Sequence, residues 1–277
     1  MENLFLSVII PTLNEELYIG KLLSDLVKQK QKNFEVIVID GNSEDTTTQI
    51  VESFADKLTL KCKTVKKRNV SYQRNFGAEN TKGNYLVFLD ADTRINSLFI
   101  KNLTKFIQTK KGLVFLPYVD PEEDSAQIQL FYQFINFIID ISQNTNKPLS
   151  SVGGMVWNSA FFQAVGGFEE KLYISEDMNI IQKANLWGVK AKFMPRIKIK
   201  FSFRRIKREG KLQSLYKLFM GTYHVLFKGD IKKKIFEYEM GGQLYNKKFI
   251  SSNLNKKSSP EFIHKIKETF NALMLEN

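Results

Sequence analysis

The chain reads as an α/β protein on a doubly wound, mostly parallel open sheet with flanking helices and a C-terminal helical extension. Three observations predict this. Apolar runs of strand length, Leu4 to Ile10, Phe34 to Ile39 and Tyr85 to Leu89, alternate with segments whose apolar residues recur at helical spacing. The connections between them are short. Each run also ends in a polar or acidic turn: Pro11-Thr12-Leu13-Asn14, Asp40-Gly41-Asn42 and Asp90-Ala91-Asp92. Ligands of open α/β sheets sit beyond the carboxyl ends of the strands, so one rim collects all three turns.

Taken in order, LFLSVII is a buried strand closed by Pro11. Asn14 is placed to cap a helix with Glu15 and Glu16 in its first turn, where the helix dipole favours acids. Ile19, Leu22, Leu23, Leu26 and Val27 form its inner stripe. FEVIVI is the second strand. Ser43 is the cap expected for a second helix, with Ile50, Val51 and Phe54 facing inward. A third strand lies near Leu60 to Val65, and a helix runs from Ser71 through Asn80. Gly83-Asn84 then turns the chain into YLVFL. After Ser97 come a helix, a strand over Leu113 to Tyr118, an acidic turn at Asp120 to Asp124 and a Phe-rich helix over Ser125 to Ser142. Gly153-Gly154 leads into Met155-Val156-Trp157 and a short helix ending at Gly166-Gly167-Phe168. Ser175 is the expected cap of a helix opening with Glu176-Asp177. Two strands follow, Lys190 to Met194 and the alternating Arg196 to Phe203, then the basic run Arg204-Arg205-Ile206-Lys207-Arg208 and an amphipathic helix through Leu226. Residues 1–229 read as one domain. Residues 230–277 read as a basic extension ending in an amphipathic helix with Pro260 at its first position and Ile263, Ile266, Phe270 and Leu273 as its stripe.

Bulk properties narrow the function. A net charge of +12 points to an anionic partner: nucleotide phosphates, an anionic membrane surface or nucleic acid. The single Cys62 excludes an intrachain disulfide framework and a cysteine-rich zinc site, and fits a reducing compartment. No leader-like n-region precedes the first strand, and no apolar run reaches spanning length. The nearest, Ile128 to Ile141, carries Gln129, Gln133, Asn136 and Asp140 and reads as a core or interfacial helix. The expected location is cytoplasmic, with peripheral contact at the inner membrane face as the addition the charge suggests. No glycine-rich dinucleotide fingerprint or P-loop follows the first strand, which disfavours a dehydrogenase or a P-loop NTPase.

The stretch FLDADT carries the sharpest chemistry. A buried strand delivering two acids to its end is electrostatically costly, because unpaired buried carboxylates take up protons instead of staying charged. A hard divalent cation, Mg²⁺ or Mn²⁺, and the phosphates it carries make the arrangement favourable. The alternative is a plain turn or cap.

Together these residues resemble the family-2 glycosyltransferases, nucleotide-sugar-dependent enzymes of the fold called GT-A. The likeness covers Leu6 to about Gly210. It rests on SVIIPTLNEE, VIVIDGNSEDTT, Arg74-Asn75-x-Gly77, FLDADT, Gly153-Gly154 and Ser175-Glu176-Asp177. The resemblance implies metal-dependent, inverting transfer of a sugar from a nucleotide diphosphate to a carbohydrate or lipid-linked acceptor. It implies that Pro11, Thr12, Leu13, Asn14 and Glu15 line the nucleotide with Gly41, Asn42 and Ala91 nearby. Asp40 accepts a hydrogen bond from the base, with Arg74 beside it. Asp90 holds the ribose or a metal-bound water, and Asp92 binds the divalent ion. Gly153, Gly154 and Glu176 lie at the sugar or acceptor, and Asp177 is the general base. Arg204 and Arg205 are candidates for the diphosphate. Each has a plainer alternative: turn and cap for Asp40 and Ser43, a surface ion pair for Arg74, a bulge for the glycines, helix-dipole acids for Glu176 and Asp177, and a solvated or membrane-facing basic patch for the arginines. His224 and His264 read as packing or surface residues, with an approach of His224 to the site left open.

Three rival readings remain. A nucleotidyltransferase wants a glycine-rich, Arg-containing loop where PTLNEE stands. A nucleic-acid module lacks a recognisable motif and basic–aromatic interleaving. A non-catalytic nucleotide-sugar-binding or membrane-binding protein on the same fold sits poorly with an intact Asp92 and Asp177.

Overall fold

Every residue of Leu6–Thr12 (β1) and Phe34–Asp40 (β2) is buried, as expected of strands covered on both faces. The computed structural model describes residues 4–122, 125–150, 153–202 and 211–234. Arg204, Arg205, the basic run, His264 and the terminal helix expected near Pro260 lie outside the described residues.

Alternation along β1 sorts the core into two layers. Leu6, Val8 and Ile10 face Ile19–Val27 (α1), Thr47–Glu52 (α2) and Phe99–Lys110 (α4), through Leu22, Leu26, Val51, Ile100 and Leu103. Ile9 faces the opposite layer, where Val70–Glu79 (α3), Ser159–Ala164 (α6) and Glu176–Leu186 (α7) contribute Ala78, Phe162, Ile180 and Ile181. α3 comes so close that a Cβ on Gly77 would stand 2.5 Å from Ile9 Cγ2. The glycine in the Arg74-Asn75-x-Gly77 segment is therefore a packing requirement.

The eight-stranded sheet has the order β3-β2-β1-β4-β7-β6-β8-β5, where β3 is Leu60–Thr64, β4 Tyr85–Leu89, β5 Arg94–Ile95, β6 Val114–Pro121, β7 Gly154–Asn158 and β8 Lys192–Phe201. The half from β3 to β4 is wholly parallel. The other half is mixed, because β7 runs antiparallel to both β4 and β6, and β5 antiparallel to β8. The two strands expected around Pro195 are one. β8 pairs with β6 from Phe115 to Pro121, but the partner jumps from Met194 at Pro117 to Lys198 at Tyr118, so Pro195 to Ile197 bulge out. Pro195 has no N–H to give a ladder, which suits that position.

Ala126–Ser142 (α5) lies on β6 through one buried polar residue. The Asn136 side-chain amide accepts from the Val119 N–H (2.9 Å) and donates to the Val119 carbonyl (2.7 Å). Its outer face leaves Leu130, Phe134, Phe137 and Ile141 exposed at i, i+4, i+7 and i+11. No helix among the described residues is long and apolar enough to cross a membrane.

Past Lys211–Tyr223 (α8) a π-helical turn, His224–Lys228, brings Ile231 back against Ile174 and Val225. Asn179 on α7 donates to Asp230, and the Tyr173 N–H to the Ile231 carbonyl. The first residues beyond Gly229 are thus packed on the body. His224 Nδ1 lies 3.0 Å from the Gly229 carbonyl, which it can meet only as a donor, a local bond that ties the ring to the turn.

Candidate active site

The loops after β1 and β2 are laced together. The Gly41 N–H donates to the Thr12 carbonyl (2.8 Å). Gln73 on α3 reaches both strand ends, its amide donating to the carbonyls of Thr12 (2.8 Å) and Ile39 (2.7 Å). The Asn14 N–H donates to Ser43 Oγ (2.8 Å), and the Asn14 side-chain oxygen accepts from the Glu44 N–H (2.7 Å). The Glu15 N–H donates to the Thr47 hydroxyl (2.7 Å). These bonds overturn two expected caps. Asn14, at φ +54°, and Ser43 join one loop to the other, so α1 starts only at Ile19 and α2 at Thr47. Pro11 is buried and Leu13 half-buried in this wall, and the Asn42 carbonyl accepts from Arg68.

Asp40 is buried at the junction. Its Oδ1 accepts from the Thr12 hydroxyl (3.1 Å) and the Ser43 hydroxyl, and its Oδ2 from the Ser43 N–H (2.8 Å). A carboxylate oxygen has two lone pairs, so Oδ2 retains acceptor capacity beyond its turn bond.

At the end of β4 the Asp90 N–H donates to the Gly153 carbonyl (3.2 Å), which also accepts from the Thr93 hydroxyl (3.1 Å). Gly153 has φ +84°, and a Cβ there would stand 2.9 Å from Phe201 Cδ2. A Cβ on Gly154 would stand 3.1 Å from both Leu89 Cδ2 and the Phe88 carbonyl. The close approach these glycines permit is thus made to the chain itself, where it fixes the Asp90–Thr93 turn. Ala91 and Asp92 are buried within that turn.

Arg74 gathers the acids. Its Nη2 donates to Asp90 (2.8 Å), and its Nη1 to Glu176 (3.0 Å) and Asp177 (2.9 Å) at the start of α7. The Phe168 ring lies 5.1 Å from the guanidinium carbon. Asn75 clasps Phe168 in turn, accepting its N–H and donating to its carbonyl, each at 2.9 Å. Ser175 precedes the acids at φ +69° and makes no side-chain cap, so the expected cap is replaced by a left-handed turn that presents Glu176 and Asp177 to the arginine. Burial opposes the charge on Arg74, but the three carboxylates outweigh it and push its pKa up. Burial pushes the Asp177 carboxyl up to about 8, with Glu176 and Asp90 adding to the rise and Arg74 opposing it. One buried cation facing three partly buried acids leaves a negative excess, which a proton on Asp177 relieves.

The structure therefore brings Arg74, Asp90, Glu176 and Asp177 into one cluster, and Thr12, Asn14, Glu15 and Asp40 into another. Gln73, Asn75 and Phe168 hold these clusters, a role that the sequence assigned to none of them although Asn75 stands in the Arg74-Asn75-x-Gly77 segment. Their signals were present, in the residues flanking Arg74 and in Gly166-Gly167-Phe168, but periodicity marks those only as helix face and helix stop.

Among the described residues no three acidic, histidine or cysteine side chains gather to cage a metal by themselves. Asp90 and Asp92 supply hard oxygen donors from one strand end. Such a partial set fits Mg²⁺ or Mn²⁺, which commonly take one or two carboxylates and complete their shell with phosphate oxygens and water.

Comparison with known proteins identifies the fold and the family. Poly(ribitol-phosphate) beta-N-acetylglucosaminyltransferase TarS of Staphylococcus aureus is 38% identical over 114 residues, 40% of this chain and 20% of its own length. Glycosyltransferase GlyA of Streptococcus pneumoniae is 23% identical over 237 residues, 85% of this chain and 30% of its own. The chain thus spans less than a third of either relative. The crystal structure of TarS with UDP-GlcNAc superposes with a TM-score of 0.59 at 24% identity, covering 71% of this chain and 58% of that one. The mannosyltransferase PcManGT of Pyrobaculum calidifontis, solved with GDP-Man and Mn²⁺, gives 0.60 at 19% identity, covering 78% and 64%. Both superpositions speak to the fold. The model of the family "Glycosyl transferase family 2" matches residues 7–165, more than half of the chain, and to that family the chain belongs.

Proposed function

We propose that the protein transfers a sugar from a nucleoside diphosphate to an acceptor hydroxyl, in one displacement that inverts the anomeric centre. The observation that carries this is the Arg74 cluster, which holds a carboxyl raised to about 8 beside the end of the central strand. A base with a pKa near the working pH is suited to taking a hydroxyl proton as the new bond forms. Asp177 is that base. The acceptor oxygen loses its proton to Asp177 and bonds to the anomeric carbon, while the sugar–phosphate bond breaks and the diphosphate leaves with the electron pair. A single base and no covalent intermediate imply inversion.

The laced wall of Pro11 to Glu15 and Asp40 to Asn42 is the nucleotide side of the crevice, with Oδ2 of Asp40 the group that accepts from the base. Asp92, with Asp90, would hold Mg²⁺ or Mn²⁺ together with the diphosphate. A divalent ion there supplies Lewis-acid neutralisation of the leaving group. Arg74 is the positioning residue that keeps Asp90 and Asp177 apart in role but close in space. Glu176 borders the transferred sugar, Gly153 and Gly154 act behind it by fixing the Asp90–Thr93 turn, and Arg204 and Arg205 remain the proposed diphosphate ligands.

UDP- and GDP-linked sugars are the donors to try first, since relatives of this fold were solved with both. Thermal-shift screening with Mn²⁺ tests the reading, because a bound donor raises stability in proportion to its affinity. A full screen without any metal-dependent shift overturns it. The acceptor is a carbohydrate or a lipid-linked glycan reached at the cytoplasmic face of an anionic membrane. The exposed apolar face of α5 supports peripheral contact there, and the net charge of +12 favours an anionic surface.

A further inference from the structure

A second polar recess lies on the same rim, past Phe201. β6 and β8 run parallel there, pairing Tyr118 with Lys198 and Asp120 with Lys200. Alternation turns these four side chains to one face, and α5 adds Gln129 and Gln133. Together they line a cavity of about 130 Å³. At about 30 Å³ per water, that is room for roughly four waters, or for one phosphate and the carbon that bears it.

The charges within it are unevenly used. Asp120 Oδ2 accepts from Lys198 (3.1 Å), whose ammonium also lies 5.1 Å from the Tyr118 ring centre. The one carboxylate in the recess is thereby neutralised, and the one aromatic face is covered. Lys200 has no ion-pair partner among the described residues, and the Gln129 and Gln133 side-chain amides have no hydrogen-bond partner among them. What the recess offers a ligand is one uncommitted cation and several neutral donors. That combination suits an oxyanion with several oxygens, and a covered ring leaves no stacking platform for a sugar.

Its place in the sheet says which substrate would bring that oxyanion. Lys200 pairs across β5 with Arg94, two residues past Asp92, and its neighbour Phe201 packs on Gly153, whose carbonyl holds the Asp90 N–H. In the strand order the nucleotide wall at β1 and β2 lies on one side of β4, and β6 and β8 lie on the other. A group reaching this recess from the reaction centre leaves away from the nucleotide, so it belongs to the acceptor.

We propose that this recess is an acceptor subsite for a phosphate group, and hence that the acceptor is a phosphate-bearing polyol or glycan. This rests on the glycosyltransferase reading above. Lys200 supplies the charge contact, Gln129 and Gln133 orient the oxygens, and Asp120 holds Lys198 in place.

The test is binding of glycerol 3-phosphate to the full chain by ³¹P NMR titration. The variants are Lys200→Ala, Lys200→Arg, Gln133→Ala and Asp92→Asn, each checked for an unchanged melting curve. Loss of a charge-assisted contact predicts about tenfold weaker binding in Lys200→Ala. The proposal also predicts recovery in Lys200→Arg, a smaller loss in Gln133→Ala, little change in Asp92→Asn, and weakening with added salt. If Asp92→Asn abolishes binding while Lys200→Ala leaves it intact, the phosphate sits at the donor diphosphate position and the proposal is overturned. Equal affinity for uncharged glycerol, or no binding of glycerol 3-phosphate at all, overturns it too. Failure of the transferase reading shows separately, as absence of any sugar-nucleotide thermal shift in a chain that still binds glycerol 3-phosphate through Lys200.

Discussion

Arg74 Nη1 lies 2.9 Å from Asp177 Oδ1, so the group read as the base is gripped by a buried cation that also holds Asp90 and Glu176. Removing the cation strands three acids. Arg74→Met is expected to destabilise the protein by about 3 kcal/mol or more, the usual consequence of leaving buried charge without its partner. Arg74→Lys should recover part of the loss, since a lysine restores the charge but not the fork that reaches both sides. Urea unfolding measures both.

Stability without ligand should depend on pH through Asp177. Its carboxyl titrates near 4 in an unfolded chain and is pushed up to about 8 in the fold. Between those values the folded protein holds a proton that the unfolded chain has released. The contribution is therefore complete below about pH 4, shrinks as pH rises, and is gone once pH passes through about 8. Asp177→Asn should flatten that slope and make the unliganded protein more stable than the parent at pH 8. Transfer should fall by a factor of about 10² or more, the scale of losing a general base. A steeper slope in the variant than in the parent would contradict the assignment.

Gly77→Ala tests the close contact of α3 with β1. The added methyl meets Ile9 Cγ2 at 2.5 Å, on a strand fixed on both sides. Overpacking of this kind costs about 1–3 kcal/mol, and the melting temperature should drop accordingly.

Asp92→Asn is expected to abolish the Mn²⁺-dependent part of the donor-induced thermal shift while leaving a smaller, metal-independent shift from the nucleotide wall. EDTA should do the same to the parent protein. A full shift in the variant, or in EDTA, would remove Asp92 from the metal role.

Peripheral membrane contact predicts co-sedimentation with anionic liposomes at low salt, lost in a Phe134→Ser, Phe137→Ser double variant and reduced by added salt. Both phenylalanines are exposed, so folding should survive the change. A parent protein found wholly in the supernatant would rule the contact out.

The sequence by itself determined the three central strands, the turns that end them and the acids they carry. LSVIIPT, FEVIVID and YLVFL are apolar at nearly every position, and burial on both faces demands that pattern, so the central sheet was legible along with the turns that end its strands. It also supplied Asp90 and Asp92 as candidates, because acids at a strand end are a local feature, whereas Arg74 and Asp177 became candidates only through the resemblance to family-2 glycosyltransferases.

What only the tertiary structure decided is who meets whom. Asn14 and Ser43 look like caps because capping is a short-range preference, yet each found a partner about 30 residues away on the neighbouring strand's loop. Arg74 and Asp177 are 103 residues apart, and no periodicity relates them. Nor does an apolar run record strand direction, so the antiparallel insertion of β7 was invisible until its neighbours were in place. Local pattern fixes how a segment folds, whereas the pairing of distant polar groups depends on the packed sheet that brings them together.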